Sequence, residues 1–100
     1  MTLPVIFKPR ARREFEAAVS WYENQQPGLG REFKVEVKLA LMRAQAHPEL
    51  FQKVHGQARK IQLHRFKNYA IYFAVTDNSF AVLSVFHASR NPAELEQRLK

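Results

Sequence analysis

The chain contains no cysteine, which excludes a disulfide framework, a thiolate nucleophile and a Cys-based zinc site, and fits a reducing compartment. Glycine is scarce at three residues, and 46% of the chain is hydrophobic, so a flexible low-complexity chain is excluded. No apolar run approaches the roughly 18 residues that span a bilayer. The opening stretch Met1-Thr2-Leu3-Pro4-Val5-Ile6-Phe7-Lys8 has neither the basic start nor the apolar length of a signal peptide, so a cytoplasmic protein with no membrane contact is expected. Acidic residues are also few. Nine stand against sixteen Lys and Arg, giving a formal net charge of +7.

That positive excess is not spread evenly. Between Leu50 and Pro92 lie Lys53, Arg59, Lys60, Arg65, Lys67 and Arg90 with Asp77 as the single acid, so this segment carries +5 of the +7. Lys8 to Glu49 is nearly balanced by comparison. Charge concentrated on one region is expected to face an acidic partner, either a nucleic acid or an anionic protein patch.

One hundred residues make one domain, residues 1–100, around one core. Leu3 to Phe7 reads as a strand closed by Pro9, which suits the first position of a helix. Phe15, Ala18, Val19 and Tyr22 recur at helical spacing, predicting a helix to about Asn24. Gln25 to Gly30 breaks it. Leu29, Phe33, Val37, Ala40, Leu41 and Ala44 then define a second amphipathic helix that stops near His47, ahead of Pro48. The two should form an antiparallel hairpin, with Phe15, Phe33, Val37 and Leu41 in the core. Beyond Pro48 the period shortens to two. Ile61 and Leu63 alternate with Lys60, Gln62 and His64, and the apolar runs Tyr69–Val75 and Phe80–Phe86 follow, joined by a turn in which Asp77 and Asn78 tolerate special backbone. Asn91 is placed to cap a final short helix from Pro92 to Leu99. The outward side of the sheet, with Lys60, Gln62 and His64, is expected to be open.

The order and spacing of several short pieces carry a resemblance: Ala11 to Phe15, Ala18 to Glu23, Pro27 to Phe33, His47 to Phe51, Arg65-Phe66, Tyr69 to Tyr72 and His87 to Pro92. Together they resemble the RelE/ParE superfamily of toxins from type II toxin-antitoxin systems, in its ParE-like branch. The resemblance implies an α+β domain of order β-α-α-β-β-β, a helical hairpin packed on an antiparallel sheet. It also implies a cognate antitoxin encoded nearby and a toxin-antitoxin hetero-oligomer.

Two activities follow from the resemblance. RelE-type members cut messenger RNA on the ribosome, which requires groups that move a 2′-hydroxyl proton and clamp a phosphate. The corresponding positions here include Gln62, His64 and Ala70, and the tail beyond Arg90 has no aromatic residue, so that site is largely absent. His64, Arg65, His87 and Arg90 remain as catalytic candidates, the imidazoles titrating in a useful range. ParE-like members trap DNA gyrase instead and need no catalytic residue; this reading is preferred. A third is a degenerate toxin kept as a regulatory binding module. Under the preferred reading Arg59, Lys60, Gln62, His64, Arg65, Lys67, His87 and Arg90 contact the target or the antitoxin, and Arg10, Arg13 and Trp21 contact a partner through the hairpin. Plainer roles stand beside these: His87 ending the sheet, Arg65 pairing locally, Trp21 packing within the hairpin. Glu14 and Glu16 should offset the helix-opening arginines Arg10 and Arg12 at four-residue spacing. His47 and His55 lack metal-ligand spacing, and no metal or cofactor is expected.

Overall fold

The computed structural model describes residues 3–99. Strand β1 (Val5–Phe7) leads into α1 (Pro9–Gln25), a break at Gln26-Pro27-Gly28, and α2 (Leu29–Ala46). A short 3-10 turn at Pro48–Leu50 precedes β2 (Lys53–His55), β3 (Ala58–Gln62), β4 (Tyr69–Val75), β5 (Phe80–His87) and α3 (Pro92–Leu99). The sheet order is β1-β5-β4-β3-β2. Strands β2 to β5 pair antiparallel, but β1 joins the outer edge of β5 in parallel, Val5 opposite Phe80, so the sheet is mixed. The parallel direction follows from connectivity, since β1 and β5 are not hairpin neighbours and the long connection between them lets them run the same way.

The helix break is built from two glycines used differently. Gly28 sits at φ +91, a backbone that an L side chain rarely adopts, and opens α2. The Glu23 carboxylate accepts the N–H groups of Gly28 and Gly30 at 2.9 and 3.0 Å, capping the start of α2 from the end of α1. Gly30 allows the helices to touch: a Cβ there would lie 2.8 Å from the Val19 carbonyl oxygen. Gly30→Ala is therefore expected to spread the hairpin and lower stability by about 1–3 kcal/mol in chemical denaturation.

The main core lies between the hairpin and the sheet. Phe33 is fully buried, and the rings of Tyr22, Phe66 and Tyr69 approach it at 5.1, 5.1 and 5.5 Å. Val37 and Leu41 are buried as the helical spacing predicts, while Phe15 packs at the margin. Thr76 Oγ1 accepts the N–H groups of Asn78 and Ser79 and closes the β4–β5 turn. No non-glycine residue described has positive φ, so Asp77 and Asn78 do not need the special backbone the sequence reading gave them.

Three further features go beyond the expectation. Lys53–His55 forms an additional strand, turned back by Gly56 at φ +54. On β5 the pairing skips Leu83, since Tyr72 faces Ser84 and Phe73 faces Val82, a bulge that frees the Leu83 carbonyl. The outward sheet face is only partly open. Ala70, Tyr72 and Phe86 form a second small apolar cluster beneath Leu95 and Leu99 of α3. That cover explains why β4 and β5 are apolar on both sides.

Candidate functional site

Glu14 organises one end of the molecule. It sits on the buried stripe of α1, between Ala11 and Ala18, with 11% of its side chain exposed. Strand β1 stops short here, with the Lys8 N–H bonding to Val82 O as its last rung, so the β5 edge beyond has no strand beside it. Glu14 meets that edge instead. Its Oε1 accepts the Ser84 hydroxyl at 3.0 Å and the Val85 N–H at 3.1 Å, and its Oε2 accepts guanidinium N–H groups from Arg90 and Arg98. Arg98 also donates to the freed Leu83 carbonyl at 2.7 Å. Burial pushes the Glu14 carboxyl up, but the bonds from Arg98, Arg90 and Val85 outweigh it and hold the group below its ordinary value. Glu14 thus does not serve Arg10 as its spacing suggested; a carboxylate on a buried stripe needs partners that are themselves inside.

Arg90 is correspondingly engaged. Besides Glu14 it donates to Glu94 at 2.9 Å and lies 4.5 Å over the Phe86 ring. Burial alone would lower its pKa, yet the Glu14 and Glu94 carboxylates raise it. Three residues earlier, His87 ends β5. Its Nδ1 accepts the Ser89 N–H at 3.0 Å, which puts the proton of the neutral ring on Nε2, and its ring meets Tyr69 edge-on at 4.8 Å.

Arg65 turns toward the helical layer, pairing with Glu32 of α2 and lying 5.1 Å over Phe66. Arg59 donates to the Phe51 carbonyl at 2.7 Å and secures the entry to β2. Gln62 donates to the carbonyls of Lys67 and Tyr69, closing the loop between β3 and β4. Lys60 and Lys67 border a hollow of about 100 Å3 floored by Tyr72 and Phe86, on the outward face of the sheet. Burial raises the Tyr72 phenol. His64 is exposed at the start of the same loop.

The four catalytic candidates do not assemble. No side-chain hydrogen bond joins any two of His64, Arg65, His87 and Arg90 among the described residues. His64 follows β3 and His87 ends β5, with β4 between them, about 10 Å from strand to strand. Among the described residues no three His, Asp or Glu side chains gather as a metal site. On the hairpin, Arg10 and Arg13 are exposed on the first turns of α1, and Arg10 borders a polar hollow with Asn91 and Glu94. Trp21 touches Tyr22 edge-on at 5.1 Å but is 55% exposed, so it packs far less than a core residue.

Sequence reasoning missed two features that it had the signal to find. Glu14 falls at the spacing of Ala11, Phe15 and Ala18, a charge inside an apolar stripe. Val35, Leu39 and Met42 recur at four and three residues on α2, a second stripe beside the one assigned to the core.

A helical hairpin packed on a sheet is the α+β architecture that the sequence resemblance implied, although the sheet has a fifth strand and is mixed where an antiparallel one was expected. The family model described as ParE toxin of type II toxin-antitoxin system, parDE, matches residues 5–92, and the chain belongs to that family. It is a ParE-type toxin of a type II toxin-antitoxin system. Among solved structures it is similar to one described as the chromosomal ParDE TA system from P. aeruginosa, with 12% identity and a TM-score of 0.74, over 88% of this chain and 98% of that chain. No curated protein matches it. The match ends where α3 begins. No described helix is long and apolar enough to cross a membrane.

Proposed function

We propose that this toxin acts on DNA gyrase in the cytoplasm by binding, without catalysing a reaction itself, and that a cognate antitoxin neutralises it in a hetero-oligomer. The observation that carries the reading is the separate engagement of the residues a nuclease would need. Arg65 is held by Glu32, Arg90 by Glu14 and Glu94, and His87 by Ser89. What remains available is charge. Lys60 and Lys67 carry no ion pair among the described residues, and their positive charge is available to an acidic target.

Inducible expression without antitoxin tests this directly, scoring gyrase-dependent DNA breaks against cleavage of ribosome-bound message in the same cells. DNA breaks with intact message are expected. Message cut on the ribosome would establish the nuclease reading instead, and absence of growth arrest would leave only the regulatory-module reading. Single-residue variants sharpen the choice. His64→Ala and His87→Ala should still arrest growth, whereas removal of a general acid or base from a nuclease costs about 10²–10⁴-fold in rate.

A further inference from the structure

Lys60 is half-buried on β3, and it lines the hollow on the outward side of the sheet together with Lys67. Two cations at one recess repel each other, and the half-buried one gives up hydration as well. A nearby carboxylate would offset both costs. Among the described residues none does. Neither Glu94 nor Glu96 of α3, nor Asp77 of the β4–β5 turn, lines the hollow, and no ion pair reaches either lysine. A recess that gathers positive charge without balancing it is preset for an anion.

Lys67 lies in a loop, yet its place is fixed. Leu63 and Phe66 of that loop are buried and anchor it from inside. Gln62 Nε2 donates to the Lys67 carbonyl at 3.0 Å and to the Tyr69 carbonyl at 3.3 Å. The Ala88 N–H donates to the Asn68 carbonyl at 2.7 Å and ties the loop to the residue after β5. Gln62 is exposed, so its clamp fills no core and satisfies carbonyls that water could satisfy equally well. What the clamp gains is the position of Lys67.

The number and kind of cations decide which anion fits. A nucleic-acid strand carries one charge per about 3.4 Å of axis and is followed by a line of cations or gripped by arginine forks. The outward face offers neither. Beyond Lys60 and Tyr72 its next positions are Ala58, Ala74 and Ala81, and Arg59, Arg65 and Arg90 are held by the Phe51 carbonyl, Glu32 and Glu14. One recess of about 100 Å3, with two lysines and a floor of Ala70, Tyr72 and Phe86, suits one carboxylate on a short apolar stem. We infer that this hollow takes a single Asp or Glu side chain of the target protein, and that Gln62 is the positioning residue that holds Lys67 beside it. This deepens the proposed function and rests on its claim that the target is a protein, DNA gyrase.

The test titrates purified gyrase, alone and on a DNA duplex, onto the immobilised chain, with the duplex and a single-stranded oligonucleotide as separate probes. Lys60→Ala and Lys67→Ala should each weaken gyrase binding about tenfold, the loss expected for a hydrogen bond between charged groups, with thermal midpoints unchanged. Gln62→Ala should weaken binding too, but add nothing in a chain that already carries Lys67→Ala; a further loss there overturns the positioning role. Unchanged gyrase binding by both lysine variants overturns the hollow as the contact. Binding of either nucleic acid by the chain alone, lost in both lysine variants, overturns the carboxylate in favour of a phosphate. Should Lys60→Ala lower the midpoint, the exposed Lys67 decides: Lys67→Glu binding more weakly than Lys67→Ala supports the hollow, and Lys67→Glu binding as the unsubstituted chain does overturns it. An unsubstituted chain that binds gyrase in neither form overturns the proposed function and this inference with it, a result visible before any variant is made.

Discussion

Phe33→Ala is expected to lower stability by about 3–5 kcal/mol, because it deletes a fully buried ring and leaves a cavity that its neighbours cannot collapse to fill. The ring is the meeting point of the molecule. Tyr22 comes from α1, Phe66 from the loop before β4, and Tyr69 from β4 itself, all within 5.5 Å of it between centroids. Each is held by its own backbone, so none can move in without dragging an element with it. A domain of this size has about 5–15 kcal/mol in total. Thermal unfolding should therefore begin well below the unsubstituted midpoint, roughly 4–8 °C lower per kcal/mol lost. A midpoint within a few degrees of the original would mean that the hairpin and sheet are joined elsewhere. Phe33→Leu keeps more of the volume and should cost visibly less.

Glu14→Ala should be nearly as costly, about 2–4 kcal/mol, for a different reason. It removes one carboxylate that four donors share, the Ser84 hydroxyl, the Val85 N–H and one N–H each of Arg90 and Arg98, and it leaves Arg98 with the Leu83 carbonyl as its remaining partner and no carboxylate. Leaving buried charge without a counter-charge is more damaging than the pair is stabilising, so the loss exceeds the worth of any single bond. The same carboxylate makes a statement about pH. Its folded pKa lies below the ordinary 4.5, so its contribution is complete above about that pH and disappears as pH falls through the folded value. Acid titration of unfolding should show the unsubstituted chain losing its advantage over Glu14→Ala across that window. An advantage that persists at the acid end would show that Glu14 acts through packing and not through its charge.

The helices were legible because proline and glycine punctuate them locally. Pro9, Pro48 and Pro92 open or end elements by their own chemistry, and the 3.6 period of Phe33, Val37 and Leu41 needs no distant information. What stayed hidden is non-local. The parallel seat of β1 depends on β5 lying beside it, and three-residue strands such as β1 and β2 are too short to display a period. Tyr72 and Phe86 looked like ordinary strand residues until α3 folded over them. The basic surface was read from composition, which shows no partner for Arg90, whose carboxylate waits on α1, while the plainer reading of Arg65 as pairing with a carboxylate matches Glu32 on α2. Lys60 and Gln62, which alternate with Ile61 on β3, lie on the outward side as that alternation predicts, whereas His64 falls beyond the end of the strand.

The parallel pairing of β1 with β5 also sets an order of events during synthesis. Val5 emerges long before Phe80, and Glu14 before Arg90 and Arg98, so the earliest strand and helix wait unsealed for the last ones. Until then the apolar surface of the hairpin has no sheet to close against. Contacts this remote in sequence slow the final step of folding, so the hairpin is the part of the chain exposed longest before it is sealed.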